Sequence, residues 1–79
     1  MIPRYVITDI RYANGCYAYG VTDNLSGKII EVFNYEYKAE RRANELTKQA
    51  KINGEPIFVY VIEHNGKVIA RYPVTELRS

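Results

Sequence analysis

Three Asn-Gly dipeptides punctuate this chain, and they constrain its fold more than any other feature. Asn14-Gly15 and Asn65-Gly66 each separate two runs rich in Val, Ile and Tyr, while Asn53-Gly54 follows a long segment of alternating charge. Asn-Gly between two strand-like runs is the strongest short-range hairpin signal, because a type I′ turn needs positive φ at both central residues. The first pair therefore predicts a hairpin joining Arg4–Tyr12 to Cys16–Thr22. The last predicts a hairpin joining Ile57–Glu63 to Val68–Tyr72, closed by Pro73. A second turn, Asp23-Asn24-Leu25-Ser26-Gly27, leads into a third strand over Lys28–Phe33.

Between the hairpins lies one helix signal. Asn34 is placed to cap a helix running to about Ile52. Ala39, Ala43, Leu46 and Ala50 recur on one helical stripe, and Lys38, Arg41, Arg42, Glu45, Lys48 and Gln49 fill the remaining surface. Asn53-Gly54 supplies the left-handed stop and Pro56 forbids continuation. The order β-β-β-α-β-β predicts an α+β fold: one antiparallel sheet of about five strands, spatial order 3-2-1-5-4, with the helix on one face. Residues 1–79 form a single domain, and 74–79 carry no assignable pattern.

Turn lengths predict which side chains share a face. With Asn14-Gly15 as a two-residue loop, Tyr12 faces Tyr17 and Ile10 faces Tyr19. With Asp23–Gly27 as the next turn, Tyr17 faces Phe33 and Val21 faces Ile29. One face then carries Tyr12, Tyr17, Phe33, Ile10, Tyr19, Val21 and Ile29. The other carries Ile7, Asp9, Arg11, Ala18, Gly20, Ile30 and Val32. In the last hairpin Ile62 and Ile69 share one side, Val61 and Ala70 the other. Gly20, inside a strand, marks a bulge or a close helix approach. Both faces are apolar, yet one narrow, alanine-rich helix must cover them. The chain is thus expected to work as a homodimer or in a stable hetero-complex.

Chemistry-bearing residues are sparse. His64 is the only histidine and Cys16 the only cysteine, so neither a metal-ligand set nor an internal disulfide can be assembled within the chain. A lone thiol also fits a reducing compartment. Asp9, Glu31 and Glu63 fall in strands, with no spacing that pairs them for acid–base work. No catalytic residue, metal or cofactor is expected. Met1-Ile2-Pro3-Arg4 opens no apolar leader, and no stretch has the length to cross a bilayer, so a cytoplasmic, membrane-free protein is expected. A net charge of +2 is too small to argue nucleic-acid binding.

The composition is unusual in one respect: eight tyrosines and no tryptophan in 79 residues. Tyr joins a large apolar ring to a polar tip, which suits a half-wet core or a binding surface. The predicted register sets Tyr12, Tyr17 and Phe33 side by side, with Tyr19 adjacent, and these four are the candidate partner-binding residues. The competing candidate is nucleic-acid binding through the sheet, with Lys28, Arg41, Arg42 and Lys48 reaching phosphates.

Two resemblances accompany this pattern. The succession of two strands, Phe33, a helix with Ala39 and Ala43, Ile57-Phe58-Val59 and an Asn65-Gly66 hairpin resembles the DUF2188-like small bacterial domains, which implies a fold and no activity. Tyr17-Ala18-Tyr19 through Gly27-Lys28 to Phe33 and the helix, residues 17–43, is similar to the arm-site DNA-binding domain of tyrosine recombinases, where a three-stranded sheet enters the major groove. The short tyrosine-rich chain is also similar to accessory and inhibitor proteins of phages and mobile elements. The resulting expectation is a non-enzymatic protein-interaction module of phage-accessory type.

Overall fold

A computed structural model describes residues 1–74; the unassigned segment beyond Val74 lies outside the described residues. Six strands and one helix follow in the order β1 (Ile2–Pro3), β2 (Tyr5–Arg11), β3 (Tyr17–Asp23), β4 (Lys28–Phe33), α1 (Glu36–Ile52), β5 (Phe58–His64) and β6 (Lys67–Val74). The α+β class is as expected. The single five-stranded sheet is not: the strands form two antiparallel three-stranded sheets, β2-β3-β4 and β1-β5-β6. The N-terminal strand breaks at Arg4. Its first two residues pair with β5, Ile2 opposite Val59 and Pro3 opposite Phe58, while β2 pairs with β3. The strand after the helix therefore lies beside the N-terminus, a place the sequence reading assigned to the last strand.

Arg4 ties this corner together. Its amide donates to the Ile57 carbonyl at 2.9 Å, and its carbonyl accepts from the Asn24 amide at 2.6 Å. Its guanidinium donates through Nε and Nη2 to the two Asp23 carboxylate oxygens at 3.2 and 3.3 Å, and through Nη1 to the Pro56 carbonyl at 3.2 Å. Both side chains of the ion pair are only 13% exposed. Burial alone would lower the Arg4 pKa, but hydrogen bonding to Asp23 and its charge outweigh that and raise it.

The helix ends as the sequence requires. Gly54 sits at φ +71°, its amide donates to the Lys51 carbonyl, and the Glu55 amide donates to the Ala50 carbonyl at 2.8 Å. This is a Schellman closure. The start differs from expectation: Tyr35 occupies the capping position with extended φ −127°, and no side chain caps it. Asn34 falls one residue early, and Glu36 in the first turn is the feature that complements the helix dipole.

The two Asn-Gly hairpins also diverge. Asn65 (φ 51°) and Gly66 (φ 78°) form the expected two-residue loop between His64 and Lys67. At the first, only Gly15 has positive φ (+87°). The Gly15 amide donates to the Tyr12 carbonyl, the Tyr12 amide donates to the Cys16 carbonyl, and Asn14 Oδ1 accepts from the Cys16 amide. The loop thus has three residues, a type I turn closed by a left-handed glycine. One extra residue shifts β2 by one, so Arg11 faces Tyr17 and Ile10 faces Ala18. Every side chain of β2 changes face relative to β3.

Two bulges complete the corrections. On β4, Val21 faces Glu31 but Thr22 faces Ile29, leaving Ile30 extra; on β6, Ile62 faces Ala70 and Glu63 faces Val68, leaving Ile69 extra. Val21 therefore does not face Ile29, and Ile62 pairs with Ala70 rather than sharing its side with Ile69. The face under the helix carries Tyr5, Ile7, Tyr19, Val21, Glu31 and Phe33; the far face carries Val6, Thr8, Ile10, Ala18, Gly20, Thr22, Ile29 and Val32. Gly20 is where Ile10 and Ile29 fold over the middle strand: a Cβ there would meet Ile29 Cγ2 at 2.9 Å and Ile10 Cδ1 at 3.2 Å. It marks a close approach, but not of the helix.

Ala39, Ala43 and Val21 form the centre of the core, with Tyr5, Ile7, Tyr19, Phe33 and Leu46 packed around them. Alanines let the helix sit close to the sheet, but they bury little area. Among the described residues no helix is long and apolar enough to cross a membrane.

Two predictions follow from the corner. Arg4→Ala and Asp23→Asn should each cost about 2 kcal/mol in urea unfolding, since each strands a charge-assisted hydrogen bond. The double variant should fall short of the sum by about 1 kcal/mol or more; full additivity would show the pair is not coupled. Tyr5 tests pH. Burial pushes its phenol above the usual 10.0, against the pull of the Arg4 cation. A pKa raised on folding gives stability that is complete below about pH 10 and lost as pH rises through the folded value. Urea midpoints should therefore drop on the alkaline side, and Tyr5→Phe should flatten that drop.

Candidate functional site

The sequence-named tyrosines divide into two groups. Tyr19 faces Phe33 across β3 and β4, and both rings pack on the core beneath the helix. Tyr12 flanks the hairpin loop, 50% exposed, and Tyr17 is at the start of β3, 57% exposed, with the Arg11 guanidinium 5.8 Å from its ring centre. The row Tyr12–Tyr17–Phe33 does not exist, because the three-residue loop sets Tyr12 against Cys16, and the β3–β4 turn with its bulge sets Tyr19, not Tyr17, opposite Phe33.

The cations are dispersed by partners. Arg42 reaches down to β4, its Nε 3.0 and 3.1 Å from the two Glu31 oxygens, and its Nη1 3.3 Å from Glu45. Hydrogen bonding to Glu31 raises its pKa. It therefore fastens the helix to the sheet edge. Arg41 lies 5.8 Å from the Tyr37 ring centre and Lys38 5.4 Å from that of Tyr35, and those two rings are 5.8 Å apart. Lys28 sits opposite Asp23 on β4, and Lys48 is exposed on the helix. At about 100° per residue, Lys38, Arg41, Arg42 and Lys48 share one flank of the helix, with Glu45 among them. A shallow cleft of about 210 Å³ lies there, lined by Phe33, Lys38, Arg41, Arg42 and Glu45. It is an open notch over the edge of the sheet.

His64, at the end of β5, and Cys16, beside the first hairpin loop, are both exposed. Asp9 and Glu31 lie on strands separated by β3, and Glu63 lies in the other sheet. The fold brings none of these five groups together.

What it does assemble is a face the sequence reading missed. In the β5–β6 hairpin, Phe58 pairs with Val74, Tyr60 with Tyr72, and Ile62 with Ala70. These three rungs make an uncharged stretch on one side of the hairpin, which ends at the rung of His64 with Lys67. Tyr60 and Tyr72 are each 55% exposed and Ile62 41%. The opposite side turns inward: Val59 is fully buried, and the Arg71 guanidinium donates to the Asn24 carbonyl at 2.6 Å while lying against Gly27. The signal was present in the sequence, as Phe58-x-Tyr60-x-Ile62 and Ala70-x-Tyr72-x-Val74, each a period of two. The pairing of Ile62 with Ile69 concealed it, because the Ile69 bulge was not foreseen.

Compared with known proteins, the chain matches no family model, no curated protein and no solved structure.

Tyr19→Ala and Tyr17→Ala separate core from surface. Tyr19→Ala should leave a cavity under the helix and cost about 2–3 kcal/mol, less than full burial would give. Tyr17→Ala should change stability by less than about 0.5 kcal/mol. Thermal melts of the two variants decide it: equal losses would place Tyr17 in the core.

Proposed function

We propose that this chain is a non-enzymatic protein-interaction module whose docking element is the tyrosine face of the β5–β6 hairpin. The observation that carries this reading is the three-rung uncharged face centred on the Tyr60–Tyr72 pair. Tyr buries a large ring at small rotamer cost and keeps a hydroxyl for hydrogen bonding, which makes it a frequent anchor at interfaces. A hairpin backed by one further two-residue strand is marginal by itself. Covering its apolar side would stabilise the second sheet and the complex together. The partner's chemistry follows: an apolar surface with hydrogen-bond acceptors placed for two phenols. Tyr12 and Tyr17, exposed at the opposite hairpin tip, are secondary anchors in this reading. A short accessory or inhibitor protein of phage type fits such a module, since it works by occupying a surface.

Nucleic-acid binding through the sheet draws less support. Affinity for nucleic acid comes chiefly from cations on phosphates, and the far face of β2-β3-β4 carries no charged side chain. Of the candidate cations, Arg42 is occupied by carboxylates. Lys28, Arg41 and Lys48 remain on other surfaces.

Photo-crosslinking residues placed at positions 60, 72 and 48 in the native host test the reading. Protein adducts from 60 and 72, lost on Ile62→Asp, are expected. Nucleic-acid adducts from 48 with none from 60 or 72 would overturn it.

A further inference from the structure

We propose that the notch between the helix and the end of β4 receives one apolar side chain from an acidic segment of a protein partner, whose flanking carboxylates pair with Lys38 and Arg41. The notch belongs to the helix and the first sheet, so its occupancy is independent of the tyrosine face of the hairpin.

Size sets the first limit on the occupant. At about 210 Å³ the notch is smaller than the roughly 300–1,000 Å³ of pockets that enclose whole small molecules. It matches one side chain of a larger partner. Phe33 supplies an aromatic wall, and the hydrocarbon stems of Lys38, Arg41 and Arg42 line the rest beside Glu45. An incoming ring can meet Phe33 offset or edge-on.

Charge sets the second. The three cations of the lining are not equivalent. Arg42 is committed to Glu31 through Nε and to Glu45 through Nη1. Among the described residues, Lys38 and Arg41 form no ion pair. Each lies against a ring instead, Lys38 on Tyr35 and Arg41 on Tyr37. The rings steady the two cations without neutralising them, and both side chains are exposed. Three cations and two carboxylates leave the notch and its fastening to β4 with a net charge of +1. Arg42 already serves both carboxylates, so the unmatched charge sits on Lys38 and Arg41. A carboxylate is attracted there, and a guanidinium can grip it with two parallel bonds. Glu45 argues against a nucleic acid, whose closely spaced phosphates would meet it and whose affinity needs several free cations. An acidic peptide escapes this conflict by setting an uncharged side chain against Phe33 and Glu45, with its carboxylates to either side.

NMR titration of the isotope-labelled full chain with the acetylated, amidated peptide Glu-Asp-Phe-Asp-Glu tests this. Concentrations up to about 10 mM cover the weak affinity that a few exposed contacts support. Saturable shifts centred on Phe33 and the helix from Lys38 to Glu45 are expected, and they should diminish with added salt. Lys38→Gln and Arg41→Gln should each weaken binding about threefold, and the two together about tenfold. Both positions are exposed, so an unchanged circular dichroism spectrum should accompany the loss. Lys67→Gln makes the same charge change on the other sheet and should alter binding less than about twofold. The peptides Gln-Asn-Phe-Asn-Gln and Glu-Asp-Ala-Asp-Glu should each bind at least about threefold more weakly than the probe. Absence of saturable shifts, shifts centred elsewhere, or a control peptide that binds as well as the probe would overturn the proposal. So would a loss from Lys67→Gln equal to that from Arg41→Gln, or an oligothymidylate that binds the notch more tightly than the peptide does.

Discussion

The arrangement of this molecule depends on the pairing of Arg4 with Asp23. At Arg4 the chain leaves one sheet and enters the other, and a corner of that kind strands backbone groups that strands would otherwise satisfy. Here they are satisfied from both sides. The Arg4 amide goes to Ile57 of the segment entering β5, the carbonyl to Asn24 of the β3–β4 turn, and the guanidinium joins Asp23 to the Pro56 carbonyl. Asp23 in turn accepts from the Leu25 amide at 2.9 Å, which shapes the turn that Arg71 then meets. One ion pair, largely withdrawn from water, thus orders the N-terminus, the β3–β4 turn and the approach to β5. The second sheet, most of whose large apolar side chains are exposed, is held in place by this polar junction.

A second constraint is the size of the buried side chains. Among the described residues the buried hydrophobics are Ala18, Val21, Ala39, Ala43, Ala50 and Val59, none larger than valine. A domain of this length buries only about 60% of the surface its unfolded chain exposes, and this one places its large side chains around the core. The consequence is two uncovered apolar regions, the tyrosine face of the hairpin and the exposed strip on β4. They differ in character. The hairpin face offers rings with polar tips, suited to a partner that supplies acceptors. The β4 strip offers a free backbone edge flanked by exposed Ile29, Ile30 and Val32.

The element boundaries were legible from local signals, each with its own cause. The helix end at Asn53-Gly54, the two-residue turn at Asn65-Gly66 and the alanine stripe that meets the sheet all follow from single-residue conformational preference and the 3.6 period. Tyr19 and Phe33, expected among the partner-binding residues, pack beside the core, because large rings beside a small-residue helix have few other places to go. The candidate site was less legible. The row of Tyr12, Tyr17 and Phe33 depended on the exact lengths of two turns, and a one-residue error in either moves a whole strand face. The Tyr60–Tyr72 pair was concealed by a bulge, which leaves no signature in hydrophobic alternation beyond an extra β-branched residue.

By itself, the sequence determined the α+β class, the C-terminal end of the helix and the stripe it presents, since each depends on interactions within a few residues. Tertiary structure alone decided the rest. Asn14-Gly15 can close either a two- or a three-residue loop, and the longer one prevails here with Tyr5, Ile7, Val21 and Phe33 all gathered beneath the helix. Arg4 reads locally as one more strand residue; only when Asp23, Asn24 and Ile57 surround it does it become the break that divides one expected sheet into two. The division follows because a charged side chain and a backbone corner can be desolvated together only where partners from distant parts of the chain converge.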